Sequence, residues 1–417
     1  MKQKIDVADL RIGMYIVEID RPWLDTPFLF QGFPVESQKD IDCVQRTCHY
    51  VYIDSAQAET FQSSKSPENN LVRHSATEKA ISLLARKSEY QNQVTFIEEF
   101  KPARAVRFKA KAYLEGIFDD IRLGQSVDTE GAKIVVRSMV DSITRNSDAS
   151  LWYTQLRKMD EYTADHSLNV CILTLVFGRH LNFTESVLNE LGIGALLHDI
   201  GKIRIPANII NKPGPLTKDE LALVRKHPSY GAEILKQSPG VPQTAVDIAL
   251  CHHERVDGEG YPQGLKAGEL SLFSKMVAVV DVYDAITSNR VYHHGMSPSD
   301  ALKNMYQWQH TDFDESLVED FIQCLGIYPV GSAVQFNTGE IGIIMNDNKE
   351  HRLKPTVMLV LDAQQNPIFP EHIVNLASND ENHSGTVRQI KKVFGPDERP
   401  FGLTQHILTD LTDVNVD

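Results

Sequence analysis

The sequence predicts a mostly α-helical protein that carries a small α/β, β-rich domain at its N-terminus and a short β-rich appendage at its C-terminus. Apolar residues recur at three- and four-residue spacing through much of residues 78–326, as they do on one face of an amphipathic helix. Segments before residue 60 and after residue 328 are instead rich in β-branched and aromatic residues between turn residues, which is typical of strands. These changes of pattern predict four parts. Residues 1–60 form a β-rich regulatory domain and residues 61–145 a linker with connecting helices. Residues 146–327 form a helical domain, and residues 328–417 form an appendage with a polar tail.

The composition indicates a globular protein that acts outside the bilayer and does not coat nucleic acid. The chain has 417 residues and a formal net charge of −14, whereas a protein that coats DNA or RNA needs a basic surface. The N-terminus lacks the apolar core of a signal peptide, and no window approaches the roughly 18 consecutive apolar residues of a membrane span. The five cysteines are scattered and form no CxxC pair, which favours a reducing compartment. We therefore expect a cytoplasmic protein with no DNA partner and no membrane span.

The N-terminal segment is predicted to contain three strands and one short helix. Strands are expected at Tyr15–Ile19, 28–30 and 51–54, where β-branched and aromatic residues are dense. The helix is expected to begin near Ser37, whose hydroxyl can cap the residues that follow. No residue in this segment has the spacing of a metal or catalytic site, so a regulatory or packing role is favoured.

Helices dominate the middle of the chain. Helical periodicity is strong at 76–87, 113–121 and 132–143. The basic run 101–111 is interpreted as a solvated helix face rather than a phosphate site. Further along, Thr217 and Glu220 fit a capping box that opens another helix.

The C-terminal segment returns to a strand pattern. Three strands are expected at 330–336, 339–345 and 355–361, with turn residues between them. The last forty or so residues are polar and predict no particular structure.

One motif in the helical domain carries chemistry: His198-Asp199, directly after the apolar run 191–197. A buried carboxylate is costly unless it is paired or bound to a metal, and His with Asp gives the mixed N/O donor set that many divalent cations accept. In isolation the dipeptide would be a helix cap and a surface histidine. It is accompanied, however, by five further candidate ligands in the same domain, namely His166, His227, His252, His253 and Asp281.

Most of these candidates also have a purely structural explanation. His166 alone would be a histidine on a helix surface, His227 alone could stabilise a helix end, and Asp281 alone could pair with a lysine or arginine. The adjacent pair His252-His253 is harder to explain by packing. The whole set is too large for one tetrahedral ion and contains no thiol, so it indicates a site for two divalent metals rather than a structural zinc site.

In order and spacing, these residues resemble the HD-GYP family of HD-superfamily phosphodiesterases, which hydrolyse cyclic di-GMP. The resemblance covers about residues 145–330 and includes HDIGKIRIP at 198–206, HHERVDGEGYP at 252–262 and DVYDAITSNR at 281–290. It implies an HD-superfamily helical bundle for the helical domain. The segment 7–16 also resembles the opening of a domain of unknown function that is often joined to HD-GYP domains.

The resemblance also implies a role for each candidate residue. The first metal would be held by His166, His198, Asp199 and Asp281, and Asp199 would bridge to a second metal held by His227, His252 and His253. Lys202 would contact the scissile phosphate, and Arg290 would hold a substrate phosphate or guanine; the alternative for both is a solvated surface charge. The loop that would shape the substrate cleft, and that could offer a surface to partner proteins, contains Gly258, Gly260, Tyr261 and Pro262.

Two departures from the family pattern refine the expectation. Family members that bind a third metal have a glutamate where this chain has Tyr162, so we expect two metals. The basic residues that commonly follow the substrate-binding arginine are absent after Arg290, where the sequence reads Val-Tyr-His-His, so one cation that binds substrate is expected to be missing.

The resemblance therefore implies a metal-dependent phosphodiesterase in which Asp199 and Lys202 serve catalysis. A bridging hydroxide would attack phosphorus in line and convert cyclic di-GMP to pGpG, GMP or both. Fe or Mn is favoured for the two divalent ions, and Zn, Ni, Co or Mg would also suit the donor set. Two alternatives stay open: a cyclic di-GMP sensor that turns over weakly, and an HD hydrolase for another nucleotide.

Three kinds of partner are expected. The first is cyclic di-GMP itself. The second is a diguanylate cyclase or another signalling protein, bound at the 258–262 loop. The third is a second copy of the chain, bound through the helices of 78–150.

Overall fold

The computed structural model describes residues 2–21, 26, 33–35, 37–54, 76–155, 162–289, 295–309, 311–348, 351–378 and 386–398. It confirms a mostly helical fold with one small sheet near each end of the chain. The helices are α1 (Gln38–Thr47), α2 (Ala76–Leu84), α3 (Phe96–Arg122), α4 (Thr129–Arg145), α5 (Ser147–Thr154), α6 (Tyr162–His180), α7 (Glu185–Leu197), α8 (Ala207–Ile210), α9 (Lys218–Val224), α10 (His227–Gln237), α11 (Gln243–Cys251), α12 (Leu272–Thr287), α13 (Pro298–Trp308) and α14 (Glu315–Leu325). The strands are β1 (Lys2–Asp6), β2 (Tyr15–Ile19), β3 (Phe33–Pro34), β4 (Tyr50–Asp54), β5 (Ala333–Phe336), β6 (Ile341–Asn346), β7 (Thr356–Leu361), β8 (Pro367–Asn375) and β9 (Ile390–Val393).

The N-terminal sheet has the order β1-β4-β2-β3 and is antiparallel throughout. Ile16 pairs with Ile53, and alternate side chains such as Ile16 and Val51 fill a small separate core. Helix α1 begins after Ser37, whose hydroxyl accepts a hydrogen bond from the backbone N–H of Asp40 in a capping box. The predicted strands at 15–19 and 51–54 and the predicted helix are confirmed, while the strand predicted at 28–30 lies outside the described residues.

The helical domain packs around a hydrophobic core that α3 and α4 share with the helices after them. On α3 the buried residues Ala110, Leu114 and Ile117 recur at three- and four-residue spacing, so one face of this helix lies in the core. Gly194 on α7 lies so close to α11 that an added Cβ would come within 2.3 Å of the Ile248 side chain. The predicted division at residue 145 stays a prediction about domain boundaries; helices on both sides of it contribute to this core.

The basic run on α3 is only partly solvated, which corrects its interpretation as a solvated face. Arg107 Nη2 and Lys111 Nζ each lie 3.2 Å from a different oxygen of Asp165 on α6, and both cations are partly buried. Lys101 and Arg104 are exposed, as expected. The two partly buried cations follow from the packing of α3 on α6, because a carboxylate that is partly covered by a helix is stabilised by a paired charge.

The C-terminal sheet has the order β8-β7-β6-β5-β9. Its pairings are antiparallel, and the buried residues Phe336, Ile344 and Val357 join the core of the helical domain. The three predicted strands are confirmed. Strands β8 and β9 were not predicted, because their sequences are more polar and carry no regular alternation.

Two further features concern the lengths of the helices and the state of the cysteines. Each helix in the described part of the chain is too short or too polar to cross a bilayer. The five cysteines all lie in described segments and carry thiols rather than disulfides.

Candidate metal centre

The seven residues predicted as ligands converge at one place in the helical domain, where several helix ends meet. His166 lies on α6, His198 and Asp199 directly after α7, His227 at the start of α10, His252 and His253 directly after α11, and Asp281 on α12. All are buried except His253, whose side chain is 18% exposed. Residues that are distant in sequence therefore form one cluster.

Gly201 explains how Asp199 can approach His227. Gly201 lies in a 3₁₀ turn, Ile200–Arg204, that packs against the beginning of α10. An added Cβ at this position would come within 2.0 Å of the carbonyl oxygen of His227. Glycine at this point of the sequence therefore permits the close contact that brings the two side chains together.

Asp199 lies between two groups of imidazoles. Its Oδ1 atom is 3.2 Å from His227 Nε2 and 3.7 Å from His252 Nε2, whereas its Oδ2 atom is 3.4 Å from His166 Nε2 and 3.5 Å from His198 Nε2. Within each of the two groups that include Asp199, the candidate ligand atoms lie within 4.8 Å of one another. This is the geometry of a carboxylate that can serve two metal positions.

Asp281 approaches both groups as well. Its Oδ1 atom is 3.0 Å from His166 Nε2 and 3.9 Å from His198 Nε2, and its Oδ2 atom is 3.7 Å from His253 Nδ1. An isolated carboxylate on a helix would be expected to pair with a lysine or arginine. Asp281 instead lies close to three imidazoles, those of His166, His198 and His253.

The hydrogen bonds of three histidines show which ring nitrogen faces the cluster. The Nδ1–H group of each donates to a main-chain carbonyl, at 2.8 Å for His198, 2.7 Å for His227 and 3.0 Å for His252. Because a carbonyl can only accept, Nε2 carries a lone pair. The Nε2 atoms of His227 and His252 are 3.3 Å apart, and that of His198 has no hydrogen-bond partner in the described residues. Lone pairs that face one another around a carboxylate fit a bound cation.

Asp284 is a buried carboxylate to which the sequence reasoning gave no role. Its Oδ2 atom accepts a hydrogen bond from His166 Nδ1 at 2.8 Å, which leaves the Nε2 atom of His166 facing Asp281. A carboxylate behind a histidine fixes the ring and increases its strength as a metal ligand. The available signal was its position three residues after Asp281, which places both carboxylates on the same side of α12.

The protonation states suit metal binding. Burial lowers the pKa of His198 to about 4, with Asp199 opposing the shift, and burial also lowers the pKa values of His227 and His253. Burial by itself would raise the pKa of Asp199, but the Lys202 ammonium and the surrounding imidazoles together outweigh that effect and hold the pKa well below its usual range. Neutral imidazoles and an ionised carboxylate are the forms that bind metals.

Lys202 joins the cluster to an open cleft. Its ammonium group contacts Asp199 Oδ2, and its side chain is 20% exposed. Both residues line a cleft of about 410 Å³. Arg290, the other predicted substrate-binding cation, lies outside the described residues, as does the side chain of Tyr162.

Glu254 organises the loop that contains the predicted Gly-Tyr-Pro residues. Its buried carboxylate accepts hydrogen bonds from the backbone N–H groups of Gln263 at 2.7 Å and Leu265 at 3.0 Å. The sequence alone gave Glu254 no role. A single glutamate gives no local signal that it will bind a loop about ten residues later.

The Gly-Tyr-Pro residues pack beside the cluster. The Tyr261 ring stacks on the His253 ring with 4.8 Å between centroids, and the Tyr261 N–H group donates to the His253 carbonyl at 3.2 Å. An added Cβ on Gly260 would come within 2.4 Å of Glu254 Cα, whereas Pro262 is exposed. The loop therefore packs against one candidate ligand and also reaches the surface.

Two family descriptions match the chain. The family described as "HD domain" matches residues 149–317, and the family described as "Domain of unknown function (DUF3391)" matches residues 2–132. The second match confirms the resemblance noted for the N-terminal segment.

Several characterised proteins are similar to this chain. A cyclic di-GMP phosphodiesterase of Pseudomonas aeruginosa is 36% identical over 378 residues, which span 90% of this chain and 89% of that protein. A cyclic di-GMP phosphodiesterase of Thermotoga maritima is 35% identical over 173 residues, or 40% of this chain and 47% of that protein. A 3′3′-cGAMP-specific phosphodiesterase of Vibrio cholerae is 36% identical over 169 residues, or 40% of this chain and 36% of that protein.

Proposed function

The chain belongs to the HD-GYP family of cyclic di-GMP phosphodiesterases, and on this basis we propose that it hydrolyses cyclic di-GMP with the help of divalent metal ions. The observation that carries the proposal is the position of Asp199, whose two oxygens face separate groups of imidazoles beside Lys202. A carboxylate shared between two ligand groups is what a two-ion phosphodiesterase requires.

The proposed site binds two ions. The first set of ligands is His166, His198, Asp199 and Asp281, and the second is Asp199, His227, His252 and His253. The mixed nitrogen and oxygen donors support Fe or Mn, while Zn, Ni, Co and Mg are also compatible. When bound, such ions lower the pKa of water and stabilise negative charge on phosphate oxygens.

The protein groups have distinct tasks in the proposed reaction. Water attacks phosphorus, the bond from phosphorus to the 3′-oxygen breaks, and the 3′-oxygen gains a proton, which yields pGpG; a second hydrolysis yields GMP. Lys202 contacts a phosphate oxygen and offsets the charge that develops there. Arg290 holds a phosphate or guanine, and Gly260, Tyr261 and Pro262 shape the site on the side of His253.

The first test is anaerobic purification, metal quantitation, and an assay with cyclic di-GMP and 3′3′-cGAMP. We expect two metals per chain, formation of pGpG or GMP, and loss of activity after chelation that the added metal restores. The second substrate is included because the similar Vibrio cholerae protein is specific for it. Bound but intact cyclic di-GMP would instead favour the sensor, and faster turnover of 3′3′-cGAMP would replace the proposed substrate.

We also propose that a second copy of the chain pairs through α3. Phe108 lies near the middle of this helix and is 75% exposed. The exposed residues Lys101 and Arg104 precede it on the same face, and the exposed residues Glu115 and Asp119 follow it. Antiparallel pairing about a two-fold axis would place Phe108 against its counterpart and each basic half against an acidic half.

The change Phe108→Glu tests this pairing in sedimentation experiments. We expect the wild-type chain to sediment as a dimer and the variant as a monomer. Leu83→Glu is the control, because Leu83 is 86% exposed but lies on α2. A monomeric wild-type chain would contradict the pairing.

Two further expectations remain proposals. Thiols in place of disulfides support action in the reducing cytoplasm.

The exposed Pro262 supports the loop as a contact for diguanylate cyclases or other signalling proteins. Cross-linking from a reactive group placed at position 262, with the same group at position 83 as control, would identify such a contact.

A further inference from the structure

The cleft that opens from Asp199 and Lys202 is partly built by α3. Besides nine residues between Asp199 and Asn211, it is lined by Thr163 at the start of α6 and by Phe118 and Arg122 at the end of α3. Helix α3 lies in the segment that matches the domain of unknown function, before the HD-domain match begins at residue 149. A wall of the candidate substrate cleft thus comes from outside the HD domain.

The charge of this cleft is opposite to that of the whole chain. Its lining includes the cations Lys202, Arg204 and Arg122 and the carboxylate of Asp199, whereas the chain carries a net charge of −14. Arg204 pairs with Glu233 and Arg122 with Asp119, but these two carboxylates are exposed and do not line the cleft. Cations therefore outnumber carboxylates among the lining side chains and give the cleft a local positive potential. Such a potential favours a ligand with more than one phosphate.

Arg122 can exchange its present partner for a phosphate. It forms an ion pair with Asp119 at 2.7 Å, but the two side chains are 61% and 73% exposed, so the pair contributes little to stability. Lys202, by contrast, contacts the buried Asp199. The planar guanidinium of Arg122 can bind a phosphate through two parallel hydrogen bonds.

A cyclic dinucleotide carries two phosphates, and only one can be hydrolysed at a time. With one phosphate beside Lys202, the other must lie elsewhere in the same cleft. We propose that Arg122 binds the phosphate that is not being cleaved, so that α3 completes the substrate site. This inference rests on the proposed function and adds a binding residue from the N-terminal part of the chain.

The test compares substrates with two phosphates and with one. In the metal-loaded full-length protein, Arg122→Gln should raise KM for cyclic di-GMP by about tenfold, since a hydrogen bond to a charged group contributes on that scale, and should change kcat little. Hydrolysis of bis(p-nitrophenyl) phosphate, which has one phosphate, should be unaffected, as should metal content. Arg137→Gln, at an exposed arginine on α4 that does not line the cleft, is the matched control and should behave as wild type.

An unchanged KM for cyclic di-GMP would overturn the proposal. An equal loss with both substrates, or a loss of metal, would overturn it as well, because the effect would then be a general disturbance of the site. If the wild-type chain binds cyclic di-GMP without turnover, the proposed activity fails, and dissociation constants decide the inference instead. In that case about tenfold weaker binding by the variant supports Arg122, and equal binding rules it out.

Discussion

Glu99 on α3 and Asp199 in the histidine cluster are two carboxylates that are equally buried, at 1% exposure each. Both oxygens of Glu99 have donors: Arg145 donates through Nε and Nη2 at 2.7 Å each, and Ser142 Oγ donates at 2.7 Å. The Oδ1 atom of Asp199 has no hydrogen-bond donor in the described residues and faces the lone pair of His227 Nε2 at 3.2 Å.

A structural buried charge and a functional one can be separated by their hydrogen bonds. Burial does not distinguish the two sites, because it is the same in both. What distinguishes them is whether the protein itself completes the hydrogen bonding, since buried polar groups without partners are rare and costly. Glu99 is complete without a ligand, whereas Asp199 Oδ1 and His198 Nε2 have no hydrogen-bond partner in the described residues, and a bound cation would complete their cluster.

The largest effect is expected from Asp199→Asn, a change that keeps the shape but removes the shared negative charge. We expect turnover of cyclic di-GMP to fall by more than about a hundredfold, because losing even an outer partner of a ligand costs about ten- to a hundredfold. Metal quantitation and the hydrolysis assay measure the outcome. Wild-type turnover with full metal content would remove Asp199 from the proposed site.

The reciprocal change, Glu99→Gln, should affect folding but not chemistry. We expect the free energy of unfolding to fall by about 2 kcal/mol, because hydrogen bonds to charged groups contribute on that scale and Arg145 loses its partner. Denaturant unfolding gives the stability, and metal quantitation is the parallel reading. Loss of metal in this variant would mean that the two carboxylates are not separable in the way proposed.

Asp284→Asn tests a carboxylate that is hydrogen-bonded like Glu99 but belongs to the candidate metal site like Asp199. Asp284 is hydrogen-bonded to His166 and lies behind the cluster. We expect metal affinity to fall by about tenfold, because His166 loses the anion that orients its ring. Competition with a chromogenic chelator measures the affinity without an activity assay. Asp219→Asn, at an exposed position on α9, is the control, and equal affinities in the two variants would count against this role.

The smallest effect is expected at Glu319 on α14. Glu99 is paired with the cation of Arg145, whereas the charged neighbours of Glu319 are acidic. Burial, with Glu315 and Asp320, raises its pKa from 4.5 to about 7. The folded state therefore binds the proton more tightly than the unfolded state, and stability falls as pH rises from 4.5 to 7.

Glu319→Gln should remove this dependence. At pH values above the folded pKa the variant should be more stable by at most about 1 kcal/mol, given partial solvent screening, and below the unfolded pKa it should match wild type. Thermal unfolding across this pH range is the measurement. A stability difference that does not change with pH would show that charge at Glu319 is not its cause.

Local sequence was sufficient for the helices and for the side chains that form the cluster. The spacing of apolar residues marked the face of α3 that includes Leu114 and Ile117. The pairs His198-Asp199 and His252-His253 stood out because such neighbours are difficult to bury without a partner. Gly201 allows the close approach of Asp199 to His227. It was the HD resemblance, however, and not the position of this glycine in the sequence, that indicated that the two pairs would meet.

Long-range packing accounts for what local sequence did not reveal. Asp284 and Glu254 each look like ordinary carboxylates until the fold brings His166 and the loop N–H groups to them. The same holds for Arg122, which reaches the cleft only because α3 packs against the helical domain. Polar strands such as β9 form by pairing with a neighbouring strand, a preference that a single segment does not encode.

The 3.3 Å approach of His227 Nε2 to His252 Nε2 links the cohesion of the fold to the surrounding medium. With two lone pairs opposed, the start of α10 and the end of α11 repel each other, and a cation bound by His227 and His252 would remove that repulsion. A cation that binds only the folded chain adds about 1.4 kcal/mol to its stability for each tenfold rise in free concentration above the dissociation constant. Metal binding at the meeting point of these helices would make the stability of the folded chain depend on the supply of ions, so that scarcity of metal would cause unfolding as well as loss of turnover.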